Sequence, residues 1–452
     1  MNAIGTPRWF ALLVLSSLNH GIVSAQSLSN LAGTWNTILF STPSALVLDR
    51  NQNGQVTNVG GRNNFQVQAG PMTMDGSGHA VFAGGSAEVS VGTQGVIQAA
   101  VSTGEHLAFF VNAAQDLMVC AHDGGDHNSH DFNVFVKAPA SLTAADIVGD
   151  WSICAMDTPA EIYQTLGGTS GVLQDVGPAQ GFGAHVGTMT VAAGGTMSGN
   201  LFNPFTGTWA LAGGGGVNAN IVNGPSLTFY VNSSKDVMIA VDTQVSTTDN
   251  QQELLVFAKV PIAVSTAELA GVWKINTLQT PSQLTVDRDG QNNVTNVRET
   301  QDFHIAQQGI VVGNDGYLVG NIPDAATGTL VPGAGGAIAV TINKPGQPPQ
   351  NLTLYLNAGK NLMTGLITSA NGQEFLLVTK APDVPGTVDF GLQYSVSNGQ
   401  FILNWAANTG RVLQYCTDLD HWSDVPSTQG GHTYSATMSA TPNGFFRLIQ
   451  RP

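Results

Sequence analysis

The densest set of chemically capable side chains in this sequence is His122, Asp123, Asp126, His127, His130 and Asp131, gathered around Gly124-Gly125. Imidazole and carboxylate donors suit a divalent transition metal such as zinc, and a Gly-Gly turn can fold two His onto one ion. The competing reading is a solvated polar loop tip. A second run, Asp49-Arg50-Asn51-Gln52-Asn53-Gly54, matches the first half of a D-x-[DN]-x-[DN]-G calcium loop. The bidentate Glu that such a loop needs at its twelfth position is replaced by Gly60. Asn, Asp and Gly are also what hairpin turns select, so a turn is the expectation.

No catalytic set emerges. Glycoside hydrolysis needs two carboxylates at a defined separation. Asp116 and Asp236 occupy matching positions, but the third copy has Asn361 there, which suits a turn and not a catalyst. Asp157 and Glu161 flank Pro159 in the second copy alone. No G-x-S-x-G elbow precedes a helix, and the run Gly213 to Gly216 lacks the lysine of a phosphate loop. Cys120, Cys154 and Cys416 make an odd count; Cys120 and Cys154 read either as a bridge or as buried small apolar residues.

These candidates sit on a threefold repeat. Leu31-Ala32-Gly33-Thr34-Trp35 returns as Ile147-Val148-Gly149-Asp150-Trp151 and as Leu269-Ala270-Gly271-Val272-Trp273, with Pro43, Pro159 and Pro281 following. The period is about 120 residues. Late in each copy an Asn (Asn112, Asn232, Asn357) precedes a Met (Met118, Met238, Met363). Each copy closes with Lys-x-Pro at Lys137, Lys259 and Lys380. Between these marks run short alternating segments broken by Gly, Asn and Asp, the signature of antiparallel strands. In the first copy strands are expected at 35–40, 45–49, 55–59, 65–74, 79–83, 87–91, 96–101, 107–112, 117–121 and 132–137. Ser/Thr followed by an acid before each later Gly-x-Trp (Thr143 and Asp146, Ser265 and Glu268) predicts a capped helical turn. The links are short, so the copies should sit close together, as beads or as a compact trimer-like stack.

Gly-x-Trp after a helical turn, at the head of an antiparallel unit of this length, resembles the calycin superfamily of lipocalins, fatty-acid-binding proteins and avidins. The resemblance covers some ten residues per copy and implies barrels whose Trp closes the base and whose interior can hold a small apolar ligand. It carries over no ligand residues. Phe401-Ile402-Leu403-Asn404-Trp405, Tyr415, Asp418-Leu419, Trp422 and Phe445-Phe446-Arg447-Leu448 resemble the small C-terminal β-sandwich of many large secreted bacterial proteins, with Cys416 departing from that pattern. The expected plan is therefore all-β: a signal peptide at 1–25, three antiparallel barrels or sandwiches at 26–140, 141–262 and 263–383, and a C-terminal sandwich at 388–452.

Arg8, the apolar run Trp9 to Leu18 and Val23-Ser24-Ala25 have the layout of a secretory signal, so export to the exterior or cell surface is expected. No later run reaches the roughly 18 apolar residues of a membrane helix. A formal net charge of −15 without a Lys/Arg cluster argues against nucleic acid. Charged residues are only 10% of the chain, so polar surface must come from Asn, Gln, Ser and Thr. The expected role is non-enzymatic binding of glycan, protein or cell envelope. The alternatives are a polysaccharide hydrolase with its site between copies, or a calycin-like carrier of a small apolar ligand.

Overall fold

The computed structural model describes residues 27–382 apart from short stretches (61–64, 93–95, 125–127, 163, 168–170, 177–181, 246–249, 323 and 345), together with six strand segments between 393 and 450. Each repeat forms a closed barrel of eight antiparallel strands and sets one two-stranded hairpin outside it. All ten segments expected in the first repeat are strands. In every barrel the opening strand (Gly33–Pro43, Gly149–Thr158, Gly271–Pro281) pairs on one side with the closing strand (Ser129–Lys137, Asn250–Lys259, Gly372–Lys380). Its other side pairs with the strand after the hairpin (Gln66–Met74, Gly183–Val191, His304–Val312), which closes the barrel.

The repeated motif residues build one joint. Trp35, Trp151 and Trp273 are fully buried, and each indole N–H donates to the last turn of the preceding short helix, at Leu31, Ile147 and Leu269. The lysine of Lys-x-Pro donates to the same turn: Lys137 to the Asn30 carbonyl, Lys259 to Asp146 and Lys380 to Glu268. Lys259 and Lys380 also lie over their Trp rings, 5.6 and 5.7 Å from the centroids. Gly33, Gly149 and Gly271 have φ of +137°, +130° and +134°. A Cβ at Gly271 would sit 2.9 Å from Lys380 Cε, so glycine there meets both the backbone and the space requirement. The predicted capping boxes are present at Thr143/Asp146 and Ser265/Glu268.

The three barrels share a core. Side chains alternate along a strand, so the opening, penultimate (Leu117–Asp123, Val237–Val245, Leu362–Thr368) and closing strands each offer two faces. One face fills the barrel: Trp151, Ile153, Ala155, Met238 and Phe257 do so in the second. The other face joins a single apolar cluster drawn from all three barrels, including Phe40, Phe132, Met156, Val256, Leu278 and Phe375. Strands buried on both faces read as unbroken apolar runs, as Leu254-Leu255-Val256-Phe257-Ala258 does. Phe132 and Phe375 meet edge to face at 5.9 Å across the junction of the first and third barrels.

Both ends of this pseudo-threefold axis are tied. At the Trp end the Asn-initiated turns converge, each Asn accepting two backbone N–H groups of its own turn. Asn232 then donates across to Asp116 (3.0 Å) and Asn357 to Asp236 (2.9 Å). Burial raises the Asp236 carboxyl, and Asp116 beside it raises it further. Asn at 361 avoids adding a third carboxylate to this buried ring. At the other end Phe65, Phe182 and Phe303, one from each repeat, form a triangle with centroids 5.8, 5.8 and 6.0 Å apart. The three hairpins close a cyclic cap there: Arg50 donates to Thr295, Arg288 to Gln174, and Gln164 to Val59. Val56, Val59, Leu173, Val176, Val294 and Val297 fill its centre.

The C-terminal segments form two three-stranded sheets, with Phe445–Gln450 paired to Arg411–Cys416. No helix among the described residues is long and apolar enough to cross a membrane. Because Phe132 fills the axis and not its own barrel, Phe132→Ala should cost about 3–5 kcal/mol, the range for a fully buried aromatic. Urea denaturation checks this; a loss below about 1 kcal/mol would show that the axial cluster contributes little.

Candidate functional site

Strand alternation also decides where the ionisable residues go. The end of each barrel opposite its Trp, here called the mouth, carries polar side chains on the inward face. His122 and Asp131 are direct cross-strand partners, on the inward face shared with Met118 and Cys120. His130 and Asp123 are the neighbouring pair and point to the other face, toward the adjacent barrel. His130 Nδ1 lies 2.8 Å from the Asp123 carboxylate, and its Nε2 lies 3.2 Å from the Phe303 carbonyl of the third repeat. Four of the six residues suggested as metal ligands thus divide between two faces. Asp126 and His127 lie outside the described residues.

Inside the first mouth, the His122 ring donates from Nδ1 to the Asp123 carbonyl (2.9 Å), leaving Nε2 as an acceptor. Asn133 donates to that nitrogen at 3.1 Å, and an Asp131 carboxylate oxygen lies 3.8 Å away. His122 Nε2 and Asp131 are the two donors of the suggested set that share one chamber. Among the described residues no three His, Cys, Asp or Glu side chains converge on a metal position.

The second mouth is the most acidic. Asp157 on the opening strand lies opposite Glu253 on the closing strand, which lies opposite Asp242 on the penultimate strand. All three are on the inward face. Asp157 and Glu253 are 3% and 5% exposed and within hydrogen-bond reach of each other, so a proton between them is needed. Burial is the main cause that raises both. Glu253 is driven well above its ordinary value by the further repulsion of Asp157 and Asp242, whereas Asp157 is held back by His185. His185 Nε2 is 3.3 Å from Asp157 Oδ2, and its ring lies 4.2 Å from that of Phe202. Gly183 makes this possible, since a Cβ there would fall 2.6 Å from His185 Nε2 and 2.7 Å from Asp157 Oδ2.

In the third mouth Glu374 takes the place of Glu253. Burial raises its carboxyl, opposed by a Thr277 hydrogen bond and the nearby His304 and Lys344. Asp131, Glu253 and Glu374 each stand six residues before the lysine of Lys-x-Pro, so every mouth has an acid at one register position. That signal was readable in the sequence. Its partners were not, because the imidazoles differ in place: His122 is on the penultimate strand of the first barrel, whereas His185 and His304 stand two register positions apart on the strand after the hairpin in the second and third.

The remaining motifs have structural roles. Asn51 Oδ1 accepts the N–H groups of Asn53 and Gln55, and Asp289 Oδ1 those of Gln291 and Asn293, so the calcium-like runs are side-chain-stabilised turns. Glu161 is exposed on the loop and does not join Asp157. Cys120 faces the first barrel's interior and Cys154 the axial core; both are free thiols, pushed by burial up to about 12.

No family model matches the chain, and no curated protein matches it. Among solved structures, a double mutant of Transferrin Binding Protein B from Haemophilus parasuis Hp5 aligns at 9% identity and a TM-score of 0.25, covering 77% of this chain and 76% of that one. The isotype 1 Transferrin binding protein B of Neisseria meningitidis aligns at 7% and 0.20, covering 80% and 79%. A protein with unknown function of the DUF3598 family from Nostoc punctiforme aligns at 11% and 0.17, covering 52% of this chain and 97% of that one. At such scores the functional reading rests on the chain's own geometry.

The Asp157–Glu253 pair has a thermodynamic signature. Its folded-state titration lies above that of the free carboxyls, so the folded state retains a proton that the unfolded chain has released. Stability should therefore fall as pH rises from the ordinary glutamate value of 4.5 through the raised value. Glu253→Gln imitates the protonated acid and should flatten that slope when melting is followed from about pH 4 to about pH 9. An unchanged slope would place the linked proton elsewhere.

Proposed function

We propose that the chain is an exported, non-enzymatic binding protein in which three barrels act as one rigid head toward a glycan, protein or envelope surface. One observation carries this reading. The Asn turns of all three repeats meet at one end of the axis, and Phe65, Phe182 and Phe303 meet at the other. The barrels therefore point the same way, and their mouth-side loops, such as 200–204 and 221–226 in the second, are offered together. Three weak sites held in fixed geometry gain avidity that separate barrels lack. The signal-like residues before Ala25 support export.

Catalysis on a polysaccharide fits less well. Two carboxylates about 5–10 Å apart would have to flank a groove between repeats. The raised pair is instead in contact and enclosed by one barrel. A small apolar ligand inside each barrel also fits less well, because Trp, Met and Phe side chains of the protein pack the interiors below the mouths.

A glycan-array and hydrolysis screen on the mature chain tests the proposal. Saturable binding without product release is the expected result, and turnover of any bound polymer would overturn it.

A further inference from the structure

We propose that the mouth of the second barrel binds a small organic cation, a primary ammonium group on an apolar body, seated on Asp157 and Glu253. This ligand site is additional to the surface role above and independent of it.

Charge in the second repeat is unbalanced. Between residues 141 and 262 the sequence has two lysines, Lys235 and Lys259, and no arginine. Both lysines are at the far end of the barrel, on Asp146 and over the Trp151 ring. The mouth nevertheless gathers Asp157, Glu253 and Asp242 on three adjacent strands, with the His185 imidazole 3.3 Å from Asp157. Apart from the proton shared between them, Asp157 Oδ1 and Glu253 Oε1 are buried and reached by no N–H or hydroxyl donor among the described residues. Buried carboxylates without matching donors are costly, and apolar residues in their place would often be neutral or stabilising. An ammonium group brings three N–H donors and the missing charge.

The rim supplies the rest. Phe202 is 46% exposed, on the turn between two strands at the mouth, and Val222 on the next such turn is 60% exposed. The ring of Phe202 packs 4.2 Å from that of His185, which sets an aromatic edge beside Asp157, while Val222 adds an exposed apolar side chain elsewhere on the rim. An aromatic face near a cation is favourable, and an apolar body would cover these side chains. The His185 side chain is 35% exposed and the Asp157 side chain 5%, so the ligand reaches the acid by displacing this imidazole. The other mouths lack this balance: the first offers His122 and Asn133 beside Asp131, and the third places Lys344 and His304 near Glu374.

Binding conserves charge simply. The proton held between Asp157 and Glu253 leaves to solvent, and the ammonium takes its place. Affinity should therefore rise with pH through the titration of the pair, with Asp242 and His185 as the other ionisable groups facing it. It should fall again only as the amine loses its own proton, near pH ~10.

The test is calorimetry on the full chain with phenethylammonium chloride, run in two buffers of different ionisation heat, with phenethyl alcohol as the uncharged control. The expected result is saturable amine binding with proton release and no saturable binding of the alcohol. Glu253→Gln and Asp157→Asn, checked for unchanged near-UV circular dichroism, should each weaken the amine by about tenfold or more, as loss of a charged hydrogen-bond partner does. Glu374→Gln in the third mouth should leave it unchanged. The proposal is overturned if no saturable amine binding occurs, if the alcohol binds as well, or if both second-barrel variants bind like the parent chain.

Discussion

The interaction on which the structure depends is the apolar cluster along the pseudo-threefold axis. An isolated eight-stranded barrel needs one apolar face per strand. Here the opening, penultimate and closing strands of each barrel have two, and the second has nowhere to go except against the other barrels. Burying a Leu, Val or Phe side chain contributes about 1.5–3 kcal/mol, so the axial side chains together outweigh any single hydrogen bond between repeats. The polar ties at the two ends do different work. The Asn–Asp turns and the Arg50, Arg288 and Gln164 contacts fix the rotation and register of each barrel, which a featureless apolar contact would leave open.

The axis also sets the chemistry of the mouths. On each closing strand an acid is followed at once by an axial residue: Asp131-Phe132, Glu253-Leu254 and Glu374-Phe375. Anchoring the second residue of each pair in the shared core turns the first into the barrel. The carboxyls are thus held by packing on the opposite face of their own strand. The raised pair in the second barrel follows from this, since Asp157 and Glu253 are fixed opposite each other and cannot move apart to escape repulsion.

Local features were legible from residue types. The Trp, Gly and Lys-x-Pro marks belong to one joint, and the capping acids sit within one turn of their caps, so spacing alone revealed them. Strand positions followed from alternation and turn residues. The threefold closure was legible only as one of two arrangements, beads or a compact trimer-like stack, because an apolar run such as Leu254 to Ala258 shows that both faces are buried but not what covers the second. The His/Asp loop shows the opposite limit. Its residues are close in sequence, yet alternation sends His122 and Asp131 one way and Asp123 and His130 the other. The acidic mouth of the second barrel joins residues up to 96 positions apart in the register Asp157–Glu253, and only the folded strands bring them together.

The central claim is that the three barrels are one cooperative body, and differential scanning calorimetry of residues 27–382 against the excised second repeat tests it most directly. A shared core predicts a single transition for the three-barrel chain, with equal calorimetric and van't Hoff enthalpies, and an excised repeat that is molten or associates through its exposed axial face. Three resolved transitions, or an excised repeat that melts as a monomer at the same temperature as the whole, would contradict it.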